Sequence, residues 1–140
     1  MTLTAQTYID SLQMEAHPEG GFFKETYRSH HLMDVTQGSA TTTIQRSVST
    51  GIYFLLEKNN FSAFHKIKSD EMWHFYAGQA LEVVELNELG ELDCTRLGPT
   101  ARHIERRNPS TCSSGQYLVC VQGGYRWFVF ARWLYRGTRL

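Results

Sequence analysis

The chain has 140 residues, and its 14 lysines and arginines balance its 14 aspartates and glutamates, so its formal net charge is zero. This balance gives no whole-chain attraction to nucleic acid or to an anionic membrane, although several arginines follow Arg96. A domain of this size buries roughly two-thirds of the surface that its unfolded chain exposes. We therefore expect residues 1–140 to form a single domain with one core.

The cysteines Cys94, Cys112 and Cys120 are odd in number and include no Cys-x-x-Cys pair. This pattern indicates neither a disulfide framework nor a structural zinc site, and it favours a reducing cytoplasmic compartment. The N-terminus lacks the basic start and apolar run of an export signal, and no segment approaches about eighteen apolar residues. The sequence therefore predicts neither export nor membrane insertion.

The opening segment predicts one short amphipathic helix within residues 1–15, from about Thr4 to Met14. Ala5, Tyr8 and Leu12 recur at helical spacing, and Thr4 can serve as the N-cap.

Almost everything after this helix is typical of short strands. The turn "HPEGG" leads into a strand through Phe23 and Tyr27. Further strands are predicted in "TTTIQRSVSTGIYFLLE", which can supply two, and in "FSAFHKI", "MWHFY", "LEVVEL" and "DCTRL". Short strands at this regular spacing predict an all-β sandwich or small barrel.

The strand around His65 carries the first candidate functional residue. Side chains alternate along a strand, so Phe61, Ala63, His65 and Ile67 are expected to share one face. Two interpretations of this histidine stay open. It is either a core residue satisfied by hydrogen bonds or an imidazole that lines a pocket, where it can transfer protons or bind a metal.

Glu71 and His74 are the next candidates, and they compete for the same face. They lie three residues apart, so a regular strand directs them to opposite sides unless a bulge or turn intervenes. If Glu71 points inward, Trp73 and Phe75 accompany it. If His74 points inward, Met72 and Tyr76 accompany it.

The turn "HPEGG" contains His17 and Glu19, which we interpret as part of a structural turn, with a pocket lid as the alternative. On the strand that follows, Glu25 and Arg28 are three residues apart and are expected to face opposite ways.

From His65 onward, the sequence resembles the first cupin motif, G(x)5HxH(x)3-4E(x)6G. His65 takes the first histidine, Glu71 the glutamate and Gly78 the final glycine, whereas Ile67 and Asn59 replace the second histidine and the leading glycine. The strings "HPEGGFFKETYRS", "STGIYFLL", "FSAFHKIKSDEMWHFYAG" and "LEVVEL" resemble, more closely, the uncharacterised cupin family 5, a domain of unknown function. This resemblance covers residues 16–98.

The resemblance implies a cupin jelly-roll β-barrel with a ligand pocket inside, usually as a homodimer. The family is similar in shape to the 3,5-epimerases of dTDP-4-dehydro sugars, which use a barrel histidine as base and need no metal. The loss of the second histidine to Ile67 weighs against the usual cupin metal centre of three histidines and one glutamate. We therefore expect no cofactor, with a divalent metal at His65 and Glu71 as the alternative.

These residues lead to the hypothesis of an epimerase or isomerase that acts on a sugar-like or other polar carbonyl metabolite. His65 would abstract the proton next to the carbonyl, and an inward Glu71 or His74 would orient it or relay the proton. The predicted substrate-binding residues are Arg46, for an anionic group, and the aromatic Tyr53, Trp73 and Tyr76. The alternatives are a non-catalytic ligand-binding cupin and a metal-dependent oxygenase or isomerase.

The resemblance ends after Gly98, and residues 99–140 diverge from the family pattern. Back-translated and shifted by one base, residues 108–114 and 133–140 each give a string of the family type, in the correct order. This agreement suggests frameshifts near Glu105 and Arg132. An altered tail would leave an unpaired sheet edge, because late strands of a jelly roll pair with early ones.

Sequencing of the genomic region in the source organism and in close relatives tests the frameshift hypothesis. We expect a gained or lost base near codons 105 and 132 relative to those relatives. The same codons, intact in the relatives, would contradict the hypothesis.

Overall fold

The computed structural model describes residues 4–36, 43–58, 60–66, 70–86, 89–98, 110–113, 118–123 and 127–135. In 110–113, 118–123 and 127–135 it describes the backbone only. The described residues contain one helix and twelve strands. They are α1 (Ala5–Leu12), β1 (Glu15–Ala16), β2 (Phe22–Arg28), β3 (Leu32–Thr36), β4 (Thr43–Ser47), β5 (Ser49–Glu57), β6 (Phe61–Lys66), β7 (Asp70–Gly78), β8 (Leu81–Leu86), β9 (Leu92–Leu97), β10 (Ser110–Ser113), β11 (Leu118–Gly123) and β12 (Trp127–Tyr135). The structure confirms the predicted fold class, with mostly strands and one short N-terminal helix.

Helix α1 begins at a capping box. The Thr4 hydroxyl accepts a hydrogen bond from the Thr7 backbone N–H at 3.2 Å, which satisfies one of the free amides at the helix start. The helix ends at Gln13, which adopts the left-handed conformation with φ of 52°. Its apolar side packs with Met14 on Leu55 of β5, so this strand is covered on the outside.

Two antiparallel sheets form the body of the protein. One has six strands in the order β1-β2-β5-β12-β7-β10, and the other has four in the order β6-β11-β8-β9. Strands β3 and β4 pair separately as a hairpin. Strand β12 lies between β5 and β7, and β11 lies between β6 and β8, so strands from the end of the chain occupy internal positions in both sheets.

The core lies between the two sheets. The six-stranded sheet contributes the buried side chains of Phe54, Leu56 and Trp73, and these pack on buried residues of the four-stranded sheet, including Leu81 and Val83. Because Leu55 is buried beneath α1 on the opposite face, β5 is enclosed on both sides, as its continuous apolar run "FLL" requires.

A β-bulge in β6 overturns the simple alternation expected around His65. In the pairing of β6 with β11, Ser62 lies opposite Val121 and His65 lies opposite Val119. Positions three residues apart on β6 therefore pair with positions two residues apart on β11, which defines the bulge. Ser62 and His65 therefore share one face, the face of the buried core, while Phe61 is exposed on the other side. The expectation that His65 shares its face with Phe61 and Ala63 is wrong for this reason.

A second bulge, at Thr26 in β2, corrects the expectation for Glu25 and Arg28. Glu25 pairs with Ile52 and Tyr27 with Gly51, which brings Glu25 and Arg28 to the same face. The Arg28 Nε donates to Glu25 Oε1 at 2.9 Å, and a second bond joins Nη2 to Oε2. This hydrogen bonding and the carboxylate charge raise the pKa of Arg28.

The turn from His17 to Gly21 joins the two sheets by a close backbone contact. The Ala63 N–H donates to the Glu19 carbonyl oxygen at 2.8 Å. At Gly20, which has φ of 112°, an added Cβ would lie 2.2 Å from the Phe61 carbonyl oxygen, so only glycine fits. The paired glycines of "HPEGG" thus allow the turn to pack directly on β6.

We expect Gly20→Ala to lower the free energy of unfolding by about 3 kcal/mol or more, because it adds both backbone strain and a clash with the β6 backbone. Gly90→Ala is the matched control. Gly90 also has positive φ, at 80°, but an added Cβ would meet nothing within 4 Å, so we expect a loss of about 1 kcal/mol. Urea denaturation measures both values, and equal losses would contradict the close-contact interpretation.

Candidate functional site

The candidate site is centred on His65, which the β6 bulge directs to the interior face. The imidazole is 15% exposed, and its Nδ1 lies 2.8 Å from the carbonyl oxygen of Ala63. A carbonyl oxygen can only accept a hydrogen bond, so Nδ1 carries a proton and donates it. This local bond fixes the plane of the ring and leaves Nε2 as the nitrogen that can exchange a proton.

Glu19 faces this nitrogen across the boundary between the turn and β6. Its Oε2 lies 3.3 Å from His65 Nε2 and is shielded from solvent. The backbone hydrogen bond from Ala63 to Glu19 fixes the turn beside β6, and it thereby keeps the side chains of Glu19 and His65 close together. The sequence thus brings residues that are 46 positions apart (65 − 19) into one acid–base pair.

His17 also lies near this carboxylate oxygen. Its Nδ1 is 3.8 Å from Glu19 Oε2 and accepts a hydrogen bond from the Glu19 backbone N–H at 3.2 Å. The ring packs edge-on against Phe23 and Phe54, with centroid distances of 5.1 and 5.2 Å. Since Nδ1 accepts, the neutral ring of His17 carries its proton on Nε2.

The contact between His65 and Glu19 places a ring nitrogen beside a carboxyl oxygen. The 3.3 Å separation of Nε2 and Oε2 is an ion-pair distance, and the two groups form an ion pair when the imidazole is protonated.

Glu71 and Trp73 point into the interior from the opposite sheet. Both are fully buried, and the Trp73 Nε1–H donates to Glu71 Oε2 at 3.2 Å. Trp73 also packs edge-on against Phe54, with a centroid distance of 5.9 Å. Of the two alternatives at this strand, the structure places Glu71 inward with Trp73 and Phe75, and it places His74 on the outer face.

The remaining predicted site residues lie away from His65. Arg46 is exposed on the β3–β4 hairpin, opposite Met33. Tyr53 and Tyr76 contact each other edge-on at 5.7 Å, but on the outer face of the six-stranded sheet, where Tyr53 packs with the α1 cluster. The structure therefore brings none of these three residues to the interior pair, and their roles in substrate binding stay predictions.

Glu19 and His17 are the functional candidates that strand periodicity missed. They belong to a turn, where side-chain direction does not follow from alternation. The available signal is the double glycine directly after Glu19. In the structure both glycines have positive φ, 112° at Gly20 and 76° at Gly21. Consecutive glycines of this kind indicate a turn whose backbone lies close to another strand, and here that turn brings Glu19 and His17 close to β6.

The residues present do not fit the cupin metal centre. Of the two residues predicted as ligands, Glu71 is enclosed and bonded to Trp73, whereas His65 faces Glu19 and the Ala63 carbonyl. Among the described residues, no group of three His, Cys, Asp or Glu side chains has a geometry that could hold a metal ion. Ile67, which replaces the second motif histidine, and Asn59 lie outside the described residues.

Cys94 lies outside this site and is a free cysteine. The protein partly buries its thiol, and this burial, together with the charges of Glu82 and Asp93, raises the pKa of the thiol.

Within the described ranges, no helix is long and apolar enough to cross a membrane.

Two antiparallel sheets that enclose an apolar core, with a histidine–carboxylate pair on the interior face, define a β-barrel protein of the jelly-roll type. Residues 6–126 match the family Cupin_5, described as Cupin superfamily (DUF985), and the chain belongs to this family. This result confirms the family and fold that the sequence motifs indicated. The matched range continues past Gly98 into the divergent segment, while the reading-frame hypothesis stays a prediction.

Solved structures share this fold. A protein from Shewanella oneidensis superposes with a TM-score of 0.80 at 28% identity, over 98% of this chain and 80% of its own. A hypothetical protein from Leishmania major superposes with a TM-score of 0.81 at 23% identity, and the match covers 95% of this chain and 81% of the Leishmania protein. A formate complex of oxalate decarboxylase from Lactobacillus farciminis superposes with a TM-score of 0.58 at 12% identity, and the match covers 91% of this chain and 31% of the decarboxylase. At this low identity, the likeness shows a shared fold alone.

An uncharacterized protein of Saccharomyces cerevisiae is 42% identical to this chain over 67 residues. The match covers 44% of this chain and 33% of the yeast protein, so it spans about a third of that relative's length. The comparisons therefore establish a cupin-family protein of uncharacterised function.

We expect Trp73→Phe to lower the free energy of unfolding by about 2 to 3 kcal/mol, because it removes packing volume and the donor to the buried Glu71 carboxyl. Met72→Leu, an exposed neighbour on the outer face of β7, is the control and should change stability by less than about 0.5 kcal/mol. Urea denaturation compares them. A similar loss in both variants would show that the interior assignment of Trp73 is wrong.

Proposed function

We propose that this cupin binds a small polar or sugar-like metabolite in the barrel and acts on it as an epimerase or isomerase. The proposal rests on one observation, the shielded Glu19 Oε2 at 3.3 Å from His65 Nε2. Epimerisation next to a carbonyl requires a group that takes a proton from carbon and a group from which a proton returns. A histidine and a carboxylate in contact on the interior face supply two groups suited to this proton transfer.

In this mechanism, His65 removes the proton from the carbon next to the carbonyl of the substrate. The electron pair of the broken C–H bond moves into the carbonyl to form an enolate, and a proton that comes from solvent to the opposite face of the carbon restores the carbonyl with inverted configuration. Glu19 accepts or returns the proton at Nε2, and the Ala63 carbonyl holds Nδ1–H so that the ring keeps its orientation. The reaction begins and ends with the same atoms and needs no oxidant.

A non-catalytic ligand-binding cupin is the second candidate. It is favoured by the fact that both nitrogens of His65 already have contacts within the protein, as in a structural histidine. In that case the protein would hold a metabolite in the barrel without transferring a proton to or from its carbon.

Exchange of substrate protons with solvent deuterium separates the two candidates. We expect the wild-type protein to incorporate deuterium next to the carbonyl of dTDP-4-dehydro-6-deoxyglucose, as followed by proton NMR. His65→Asn should slow exchange at least about 100-fold, and Glu19→Gln roughly 10- to 100-fold, because each removes one member of the acid–base pair.

His30→Asn is the matched control, since His30 is exposed in the connection between β2 and β3. It should exchange at the wild-type rate. Binding of the sugar nucleotide without any exchange would contradict the epimerase proposal and favour the binding protein. Exchange that persists in His65→Asn would show that His65 is not the base.

A further inference from the structure

We infer that His17 is a positioning residue, whose ring nitrogen Nδ1 holds Glu19 in place against His65. This inference rests on the proposed function, because it assigns the residue that keeps the acid–base pair in contact during proton transfer. His17 is not the base, and it acts through the turn that carries Glu19. Sequence patterns placed His17 in a structural turn or a pocket lid and gave it no role in proton transfer.

The backbone of Glu19 is hydrogen-bonded on both sides. Its N–H donates to His17 Nδ1 at 3.2 Å, and its carbonyl oxygen accepts from the Ala63 N–H at 2.8 Å. Each bond fixes one of the two planar peptide units that flank Glu19, so the residue has little freedom to rotate between them. The two bonds together set the direction in which the Glu19 side chain leaves the backbone.

His17 is itself held firmly by the turn and by the core. Its N–H donates to the Gly21 carbonyl oxygen at 2.9 Å, and its own carbonyl oxygen accepts from the Gly20 N–H at 3.0 Å. The side chain is 12% exposed, and the ring packs edge-on against Phe23 and Phe54. The core therefore fixes the plane of the ring, and Nδ1 is presented to the turn as an acceptor in a defined position.

The use of Nδ1 as an acceptor also leaves the Glu19 carboxylate to His65. His17 Nδ1 lies 3.8 Å from Glu19 Oε2, whereas His65 Nε2 lies 3.3 Å from the same oxygen. Because Nδ1 accepts the hydrogen bond from the Glu19 N–H, it carries no proton and donates none to the carboxylate. Glu19 Oε2 can therefore pair with His65 without competition from His17 Nδ1.

Two variants of the same shape separate the acceptor from the ring. His17→Asn and His17→Leu both lose the edge-on contacts with Phe23 and Phe54. Only His17→Asn keeps an acceptor, because the asparagine Oδ1 is attached to Cγ as Nδ1 is in histidine. A difference between the two variants therefore reports the hydrogen bond to Glu19 and not the packing of the ring.

NMR without substrate tests the position of Glu19 directly. We expect nuclear Overhauser contacts between the side-chain methylene protons of Glu19 and the ring protons of His65 in the wild type and in His17→Asn. These contacts should be lost in His17→Leu. The amide proton of Glu19 should also exchange with solvent at least about 10-fold faster in His17→Leu than in the other two proteins, because it has lost its acceptor.

The rate of deuterium incorporation into dTDP-4-dehydro-6-deoxyglucose tests the consequence for the reaction. At saturating substrate, we expect His17→Leu to be roughly 10-fold slower than the wild type, because the carboxylate is displaced from His65. His17→Asn should stay within about 3-fold of the wild type. KM should change by less than about 2-fold in both variants, because His17 positions the pair and does not bind the substrate.

Nuclear Overhauser contacts that are retained in both variants, or lost in both, would overturn the role of the Nδ1 acceptor. Slow incorporation in His17→Leu with these contacts retained would overturn it as well. No incorporation by any of the proteins, the wild type included, would overturn the proposed function. In that case, loss of the contacts in His17→Leu alone would still support His17 as the residue that holds Glu19 against His65.

Discussion

The packing of the His17–Gly21 turn against β6 is the constraint on which the candidate site depends. An added Cβ at Gly20 would lie 2.2 Å from the Phe61 carbonyl oxygen, and the Ala63 N–H reaches the Glu19 carbonyl at 2.8 Å, so the two backbones are in direct contact. This contact carries the side chain of Glu19 to His65. Without it, the imidazole would have its local bond to Ala63 but no acid–base partner from the turn.

The interior of the barrel is divided into an apolar and a polar part. Trp73, Phe54 and their neighbours fill the space between the sheets, and the buried Glu71 is bonded to Trp73 within this packing. On the four-stranded sheet, His65 lies in one register row with Val119 and the buried Glu85, next to the row of Ser62. The four-stranded sheet therefore contributes the buried polar residues Ser62 and Glu85, and the aromatic packing comes from the six-stranded sheet.

Local sequence patterns predicted the helix and most of the strands, because apolar spacing and turn residues act over a few positions. "LEVVEL", for example, coincides with β8 (Leu81–Leu86), with buried and half-buried residues in strict alternation. The side-chain directions in β2 and β6 were not predictable in this way. Each of these strands contains a bulge that is defined by pairing with a distant strand, and the bulges decide that His65 faces inward with Ser62 and that Glu25 meets Arg28. The link between Glu19 and His65 was hidden for the same reason, since it joins a turn to a distant strand.

The internal positions of β11 and β12 set the order in which the barrel can assemble during synthesis. Strand β12 connects β5 with β7, and β11 connects β6 with β8, so the four-stranded sheet is continuous only after β11 has been synthesised and the six-stranded sheet only after β12. A nascent chain that lacks them exposes the edges of β5 and β7, which are long and rich in apolar residues, and such edges pair readily with other chains. The barrel therefore closes only after β12 has been synthesised, and until then the edges of β5 and β7 stay open to pairing with other chains.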